Sequence, residues 1–288
     1  MEFVVSLLRY SAPVGLAALG ETVGQRAGLI NIGLEGMMLS AAYFSTIVAI
    51  STGSPWLGVG AGILAAIVLA AVQGYFTIRL ALDQVVVGTG INLFALGLTS
   101  TLFRKRFGAS GQLVDAPQIP GLVGGVDLVM ILLVASVFGV TWLLYRSRWG
   151  LVTRASGEYP SAAEAAGYSV ARLRWMAAII GAVFAGVAGS YLSLGIAGSF
   201  AENMTVGRGF VAIAMVTFGR WRPIWVMAAS LLIGYANSLQ FNLQAKGIAL
   251  PTELFVALPY LVALVVLVVV GKGTAVPAAL GVPYRRET

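Results

Sequence analysis

The side chains able to do chemistry are few. The 288 residues contain no Cys and no His, which excludes thiol nucleophiles, disulfides, Cys/His metal sites and imidazole acid–base work. What remains inside long apolar runs is a set of amides and hydroxyls: Gln73, Thr89, Asn92, Thr217, Asn237 and Gln240. Asn31 and Glu35 lie in a glycine-rich apolar stretch. A path lined by neutral amides and hydroxyls suits an uncharged, hydroxyl-rich solute better than an ion. Proton pumps and ion-coupled carriers bury Asp, Glu, Lys or Arg mid-span, and the central runs lack them. Each Asn taken alone also fits an interhelical hydrogen bond.

The elements that position these groups follow from composition. Hydrophobic residues make up 59% of the chain and charged residues 10%, against about 25% charged in a soluble domain; mean hydropathy is +0.91. Too little charge is present to cover a soluble fold, so lipid is the solvent. A membrane helix needs about 20 mostly apolar residues. On that rule spans fall at Leu34–Ser51, Trp56–Ile78, Val85–Phe103, Leu128–Tyr145, Met176–Gly198, Ile224–Leu243 and Leu254–Gly271. Phe3–Gly20 is less regular, interrupted by Arg9 and Pro13, and Gly209–Gly219 is about half a span. The expected fold is all-α: one transmembrane domain over residues 1–288, a bundle of about 8–10 helices with broken or re-entrant segments. Glu2, with no basic run, precedes the first apolar stretch, so no cleavable signal is read there.

There are 18 basic and 11 acidic residues, a net charge of +7. The basic residues are scattered among loops and form no nucleic-acid-binding stripe; they read as topogenic. The loop of about residues 146–175, with Arg146, Arg148, Arg154, Arg172 and Arg174, is placed in the cytoplasm, as is the tail with Lys272, Arg285 and Arg286. Arg104, Lys105 and Arg106 then fall outside, against the rule. All six Trp lie near span ends, where amphipathic rings prefer the headgroup level. Gly58 and Gly62, and Gly181, Ala185 and Gly189, put small residues at four-residue spacing for close helix packing.

Two places break the spans. Ala27 to Gly36 combines three Gly with Asn31 and Glu35, and Gly198 to Gly209 holds Glu202, Asn203, Gly207 and Arg208. Interruptions at corresponding places in two halves point to a transport pathway at a repeat interface; each break alone also fits a surface loop. In the 146–175 loop, Gly157 to Gly167 reads as a short helix. Pro160 suits its first position, Gly167 its left-handed stop, and Ser169 the cap of the next helix. Two Ala-rich turns are not stable alone. The small faces suit docking into a groove on another protein, or the helix lies on its own protein's membrane surface.

Three segments resemble the permease subunits of binding-protein-dependent ABC importers, in the type 2 inner-membrane component family that serves branched-chain amino acids, simple sugars and nucleosides. They are Gln25 to Met38, Gln84 to Leu93 and Gly157 to Gly167. The first is similar to the family's nucleoside branch. Gln25 stands where the family often has Glu, and Tyr159 where Asn is common. The resemblance runs from about Leu16 to Pro259 and implies a multi-pass protein of the bacterial inner membrane. It implies a pore built with a second homologous permease subunit, cytoplasmic ABC ATPase subunits, and an extracytoplasmic solute-binding lipoprotein. It implies a coupling contact at Glu158, Pro160, Ala163, Ala166 and Gly167, with Glu158 facing a basic residue of the ATPase, and a nucleoside pathway near Asn31, Glu35, Asn92, Asn237 and Gln240. Simple sugars and branched-chain amino acids are the alternative solutes. No cofactor or metal is expected. A phosphate-cradling G-x-x-x-x-G-K-[ST] loop is lacking; the nearest string, Val266 to Gly273, has Gly271 and Lys272 without the first Gly or the final hydroxyl. An autonomous secondary transporter would need a coupling carboxylate, for which Glu35 is the candidate. A lipid-modifying enzyme would need clustered carboxylates or His, which the sequence does not offer.

Overall fold

The computed structural model describes residues 2–108, 114–122, 124–245, 257, 259–265, 268 and 276–285. Ten α-helices are described, with strand limited to two residue pairs, so the chain is an all-α bundle. They are α1 (Glu2–Arg26), α2 (Leu34–Thr52), α3 (Pro55–Gly74), α4 (Gln84–Phe107), α5 (Leu128–Tyr145), α6 (Arg148–Glu158), α7 (Pro160–Ala165), α8 (Val170–Tyr191), α9 (Arg208–Phe218) and α10 (Pro223–Ala245). Wider π-type turns prolong α3 through Arg79 and α8 through Ala197. Six of these helical segments are long and apolar enough to cross a membrane. Half of the predicted span Leu254–Gly271, nearly all of the 266–273 string, Lys272 and Arg286 fall outside the described residues.

Helix ends sort into two poles. At one, Arg26 Nε donates to the Trp221 carbonyl (3.2 Å) and Arg26 Nη2 to Tyr145 Oη (3.3 Å), and the Ile30 N–H donates to Gln84 Oε1 (2.7 Å). The ends of α1, α5 and α9 therefore meet the start of α4 here, beside α6 and α7; this is called the Arg146 end. At the opposite pole, the Arg104 end, β1 (Val114–Asp115) pairs antiparallel with β2 (Ser199–Phe200), and Arg104 forks onto Glu202 at 2.8–3.1 Å. Helices α1, α3, α5 and α9 run toward the Arg146 end, and α2, α4, α8 and α10 away from it. The basic cluster Arg104–Arg106, which conflicts with the charge rule, is thus partly neutralised by Glu202 on its own side.

Helices α1, α2 and α8 form the centre, while α4 faces outward: the most apolar window of α2 is 72% buried and that of α4 22%. Lipid offers no hydrophobic force between helices, so close backbone approach must hold the centre. The small residues provide it. A Cβ on Gly62 would stand 2.1 Å from Ser190 Oγ, one on Gly58 2.5 Å from the Ser45 carbonyl, and one on Gly189 2.1 Å from the Met38 carbonyl. One sequence reading needs correction. Arg9 and Pro13 do not interrupt the first helix, and it does not stop near Gly20; α1 runs unbroken from Glu2 to Arg26. Pro13 is buried among neighbouring helices, the setting in which a membrane helix tolerates the missing N–H.

Both breaks fold back into the bundle. After α1, Gly28 takes φ +84° and the chain turns back on itself. The Leu29 N–H reaches the Gly24 carbonyl (2.9 Å) and the Asn31 N–H reaches Glu21 Oε1 (3.0 Å). Helix α2 therefore starts level with Glu21, about 8 Å inside the end of α1 at 1.5 Å per residue. In the second half, Gly198 and Gly207 bracket the break at φ +65° and +77°, and α9 starts inside the bundle.

Candidate translocation site and coupling face

The two broken segments meet. Glu35, in the first turn of α2 and 8% exposed, takes the Gly207 N–H on Oε1 (2.7 Å) and the Gly209 N–H on Oε2 (2.6 Å). A helix N-terminus carries unpaired N–H groups and about half a positive charge. Here two such ends, α2 running one way and α9 the other, share one carboxylate. Gly209 is required by this contact, since a Cβ there would lie 2.6 Å from the Glu35 nitrogen. Asn92 completes the junction from α4. Its Oδ1 accepts the Gly36 N–H (2.8 Å) and its Nδ2 donates to the Ile32 carbonyl (2.8 Å). Gly33, Gly36 and Gly88 let α2 and α4 approach this closely: a Cβ on Gly88 would stand 2.7 Å from the Gly33 nitrogen, and one on Gly36 2.9 Å from the Ile91 carbonyl. The hydrogen-bonding atoms of Glu35 and Asn92 are thus engaged within the protein.

Asn237 and Gln240 lie elsewhere, on α10, facing a cavity of about 260 Å³ between α9 and α10. Its other polar walls are Arg208 and Tyr260, and Val14, Val211 and Ile233 are among its apolar ones. The Tyr260 hydroxyl donates to the Val206 carbonyl. Val206 holds φ +44°, which a β-branched residue adopts only under strain, about 1–3 kcal/mol. That strain sits between the cavity and the Glu35 junction, two residues before Arg208. Chemically the cavity offers amides, a guanidinium and a phenol ring to a neutral polar solute.

Asn31 is placed at a third point. Its Nδ2 contacts Met37 Sδ (3.3 Å), and its Oδ1 and Gln73 Oε1 are both buried with no hydrogen-bond partner. They line a cavity of about 30 Å³ with Glu21, large enough for a water. Glu21, 2% exposed and bonded by Gln25 Nε2 (2.9 Å), is a buried carboxyl that the sequence reading missed: ending the first span at Gly20 put it in a loop. Arg208 was visible in the second break without a role, and Tyr260 carried no signal in sequence.

At the Arg146 end α7 has the predicted punctuation. Pro160 opens it, and Gly167 stops it at φ +87° with the Tyr168 N–H on the Ala163 carbonyl (3.1 Å). Ser169 Oγ caps α8 at the Arg172 N–H (3.3 Å). Ala162, Ala165, Ala166 and Gly167 are exposed, and Tyr159 is 70% exposed. Ala163 instead points inward at 4% exposure, leaving the outer face to its neighbours. Glu158 is engaged within the chain, 4.0 Å from Arg26 and accepting the Ala278 N–H (3.1 Å). The tail straps this surface: the Ala279 N–H bonds the Gly157 carbonyl (2.9 Å) and the Gly281 N–H the Gly28 carbonyl (3.2 Å). Re-entrant turn, α6–α7 and tail thus form one hydrogen-bonded unit. Among the described residues, no group of three or more Asp or Glu is placed to hold a metal ion.

A membrane-spanning bundle in which a short helix, α9, starts inside the bundle against the first turn of the full-length span α2, with a small exposed helix at one end, fits a solute permease of the broken-helix type. Comparison with known proteins gives the family. Residues 3–270 match the family described as the permease component of the branched-chain amino acid transport system, and the chain belongs to it as a multi-pass transport subunit of the inner membrane. The chain is 37% identical over 269 aligned positions to a putative glucose ABC transporter permease of Haloferax volcanii, covering 87% of this chain and 81% of that one. It is 32% identical to a guanosine ABC transporter permease of Bacillus subtilis, over 98% and 95% of the two chains. It is 31% identical to a nucleoside ABC transporter permease of Lactococcus lactis, over 98% and 96%.

Proposed function

We propose that this subunit carries a nucleoside across the inner membrane in an ATP-driven importer. The observation that carries the reading is the cavity of about 260 Å³ lined by Asn237, Gln240, Arg208 and Tyr260 beside the half-helix junction. Amides and a guanidinium hydrogen-bond ribose hydroxyls and base edges, and the Tyr260 ring offers a stacking face. Two relatives covering 98% of this chain carry guanosine and nucleoside in their names; the glucose-named relative makes a simple sugar the second reading. The Arg146 end is cytoplasmic. Arg26, Arg79, Arg146, Arg148, Arg154, Arg172, Arg220, Arg222 and Arg285 gather there, with Asp83, Glu158 and Glu164 as the acidic residues among those described, as positive-inside topology requires.

A partner ABC ATPase docks on the exposed face of α7, at Tyr159, Ala162, Ala165, Ala166 and Gly167. Closure of the ATPases on ATP pushes α6–α7, which the tail links through Ala279 and Gly281 to the turn at Gly28 and so to the start of α2. Glu35 passes the displacement to α9 and changes access to the cavity. A second, homologous permease completes the pore, and a solute-binding protein delivers solute at the Arg104 end. Co-purification with the ATPase, comparing the natural chain with Gly167→Trp, tests the docking face. The natural chain is expected to retain the ATPase and the variant to lose solute-stimulated hydrolysis. Full stimulation in Gly167→Trp would remove α7 from the coupling role.

A further inference from the structure

A groove of about 520 Å³ opens at the Arg146 end, away from both the solute cavity and the outer face of α7. Its walls are the end of the α3 segment at Arg79, the start of α8 at Arg172, Arg174 and Trp175, and the tail at Tyr284 and Arg285. Four guanidinium groups converge on it. Arg79 and Arg172 are exposed, and their guanidinium groups make no hydrogen bond or ion pair among the described residues. Arg174 is 2% exposed and spends its Nε and Nη1 on the carbonyls of Ala27 (3.3 Å) and Val282 (3.2 Å). Arg285 donates to the Leu80 carbonyl (3.0 Å). The opposing charge in the groove is Glu164, which accepts the Tyr284 hydroxyl (3.3 Å). The first turn of α8 adds the partial positive charge of a helix N-terminus.

Position identifies the ligand. The same two helical segments continue toward the bilayer with exposed apolar side chains, Val72 and Tyr75 on one and Met176 and Ile179 on the other. Trp175 stands at the level where indole rings anchor to headgroups. A soluble anion would use only the charges. A phospholipid uses both, its phosphate among the guanidiniums and its acyl chains along the apolar ledge; basic pockets between helices on the cytoplasmic side bind such headgroups. We propose that this groove is a binding site for an anionic phospholipid of the leaflet at the Arg146 end. The site stands independently of the solute and of the importer reading.

The test is native mass spectrometry of the full chain released from detergent containing either phosphatidylglycerol or phosphatidylcholine. Phosphatidylglycerol is expected to be retained at one site and phosphatidylcholine not. Arg79→Gln with Arg172→Gln should lower retention about thirtyfold, since each basic residue near the surface contributes about one kcal/mol of attraction and about 1.4 kcal/mol is a factor of ten. Arg285→Gln, outside the helices, should give a smaller loss. Arg220→Gln with Arg222→Gln, which removes the same charge from the same end, should change little. Equal retention of phosphatidylcholine, or an equal loss in the Arg220/Arg222 pair, would overturn the site. Displacement of phosphatidylglycerol by excess inorganic phosphate would overturn the lipid as occupant and leave a soluble-anion site.

Discussion

Replacing Glu35 by Gln isolates the bond between α2 and the short helix α9. The side chain keeps its volume, but one carboxylate oxygen becomes an NH₂ that faces a backbone N–H. The two native bonds, at 2.6 and 2.7 Å, are short and charge-assisted, each worth about 1.5–3 kcal/mol. The variant loses one outright, weakens the other, and exposes the α9 N-terminus to an uncompensated dipole worth about 0.3–2 kcal/mol. The sum predicts about 2–5 kcal/mol of destabilisation. At about 2–4 °C per kcal/mol, a scale taken from soluble domains, thermal unfolding of the detergent-solubilised chain should fall by roughly 4–20 °C. Solute-stimulated ATP hydrolysis should fall with it even below the unfolding temperature, because α9 is no longer tied to α2. Asn92→Ala, which frees the Gly36 N–H and the Ile32 carbonyl, should act in the same direction. A Glu35→Gln protein with unchanged melting and full coupling would refute the reasoning that this carboxylate joins the halves.

Helix packing gives a paired prediction. Gly189→Ala puts a methyl 2.1 Å from the Met38 carbonyl, while Gly60→Ala meets nothing within 4 Å. The first should destabilise by about 1–3 kcal/mol, the second should be neutral or stabilising by up to about 1 kcal/mol, and thermal melts in one detergent compare them. Acid should loosen the Arg104 end selectively. The hydrogen bonds from Arg104 hold the Glu202 carboxyl below its ordinary value near 4.5. A lowered folded-state pKa contributes stability that is complete above that ordinary value and is lost as pH falls through the lowered one. Arg104→Met should therefore remove part of the acid dependence of melting below about pH 4.5 and little above it. Because the chain has no cysteine, Asn237→Cys provides a single label site. A polar maleimide should react there more slowly when a nucleoside and its binding protein are present; an unchanged rate would detach the cavity from the solute path.

The membrane fold was legible because its signals are local. Long apolar runs, Pro160, Gly167 and Ser169 each act within a few residues, and the structure uses them as read; of the Trp read as interfacial, Trp221 is instead buried and donates to Gln25 Oε1. The two breaks were visible as Gly-rich polar interruptions, but their meeting was not. Glu35 and Gly207 are 172 residues apart, and nothing in either segment names the other. For the same reason the sequence grouped Asn31, Glu35, Asn92, Asn237 and Gln240 on one path, whereas the fold divides them among a water-sized cavity, a structural junction and a larger cavity. Hydropathy also misled at the first helix. Arg9 and Pro13 cost stability in an isolated span, yet the bundle centre absorbs them, and the extra turns carry Glu21 inward. Ala163 shows the limit at a surface helix: its residue type suits docking, but only three-dimensional packing decides which Ala faces outward.

The most direct test of the account is nucleoside uptake into liposomes holding this subunit with its partner permease, ATPase and binding protein. Uptake that requires ATP, accepts a nucleoside over glucose or leucine, and drops sharply when Asn237 and Gln240 are both replaced by Ala is the expected result. Uptake by this subunit alone without ATP, or preference for glucose with the double variant unaffected, would contradict it.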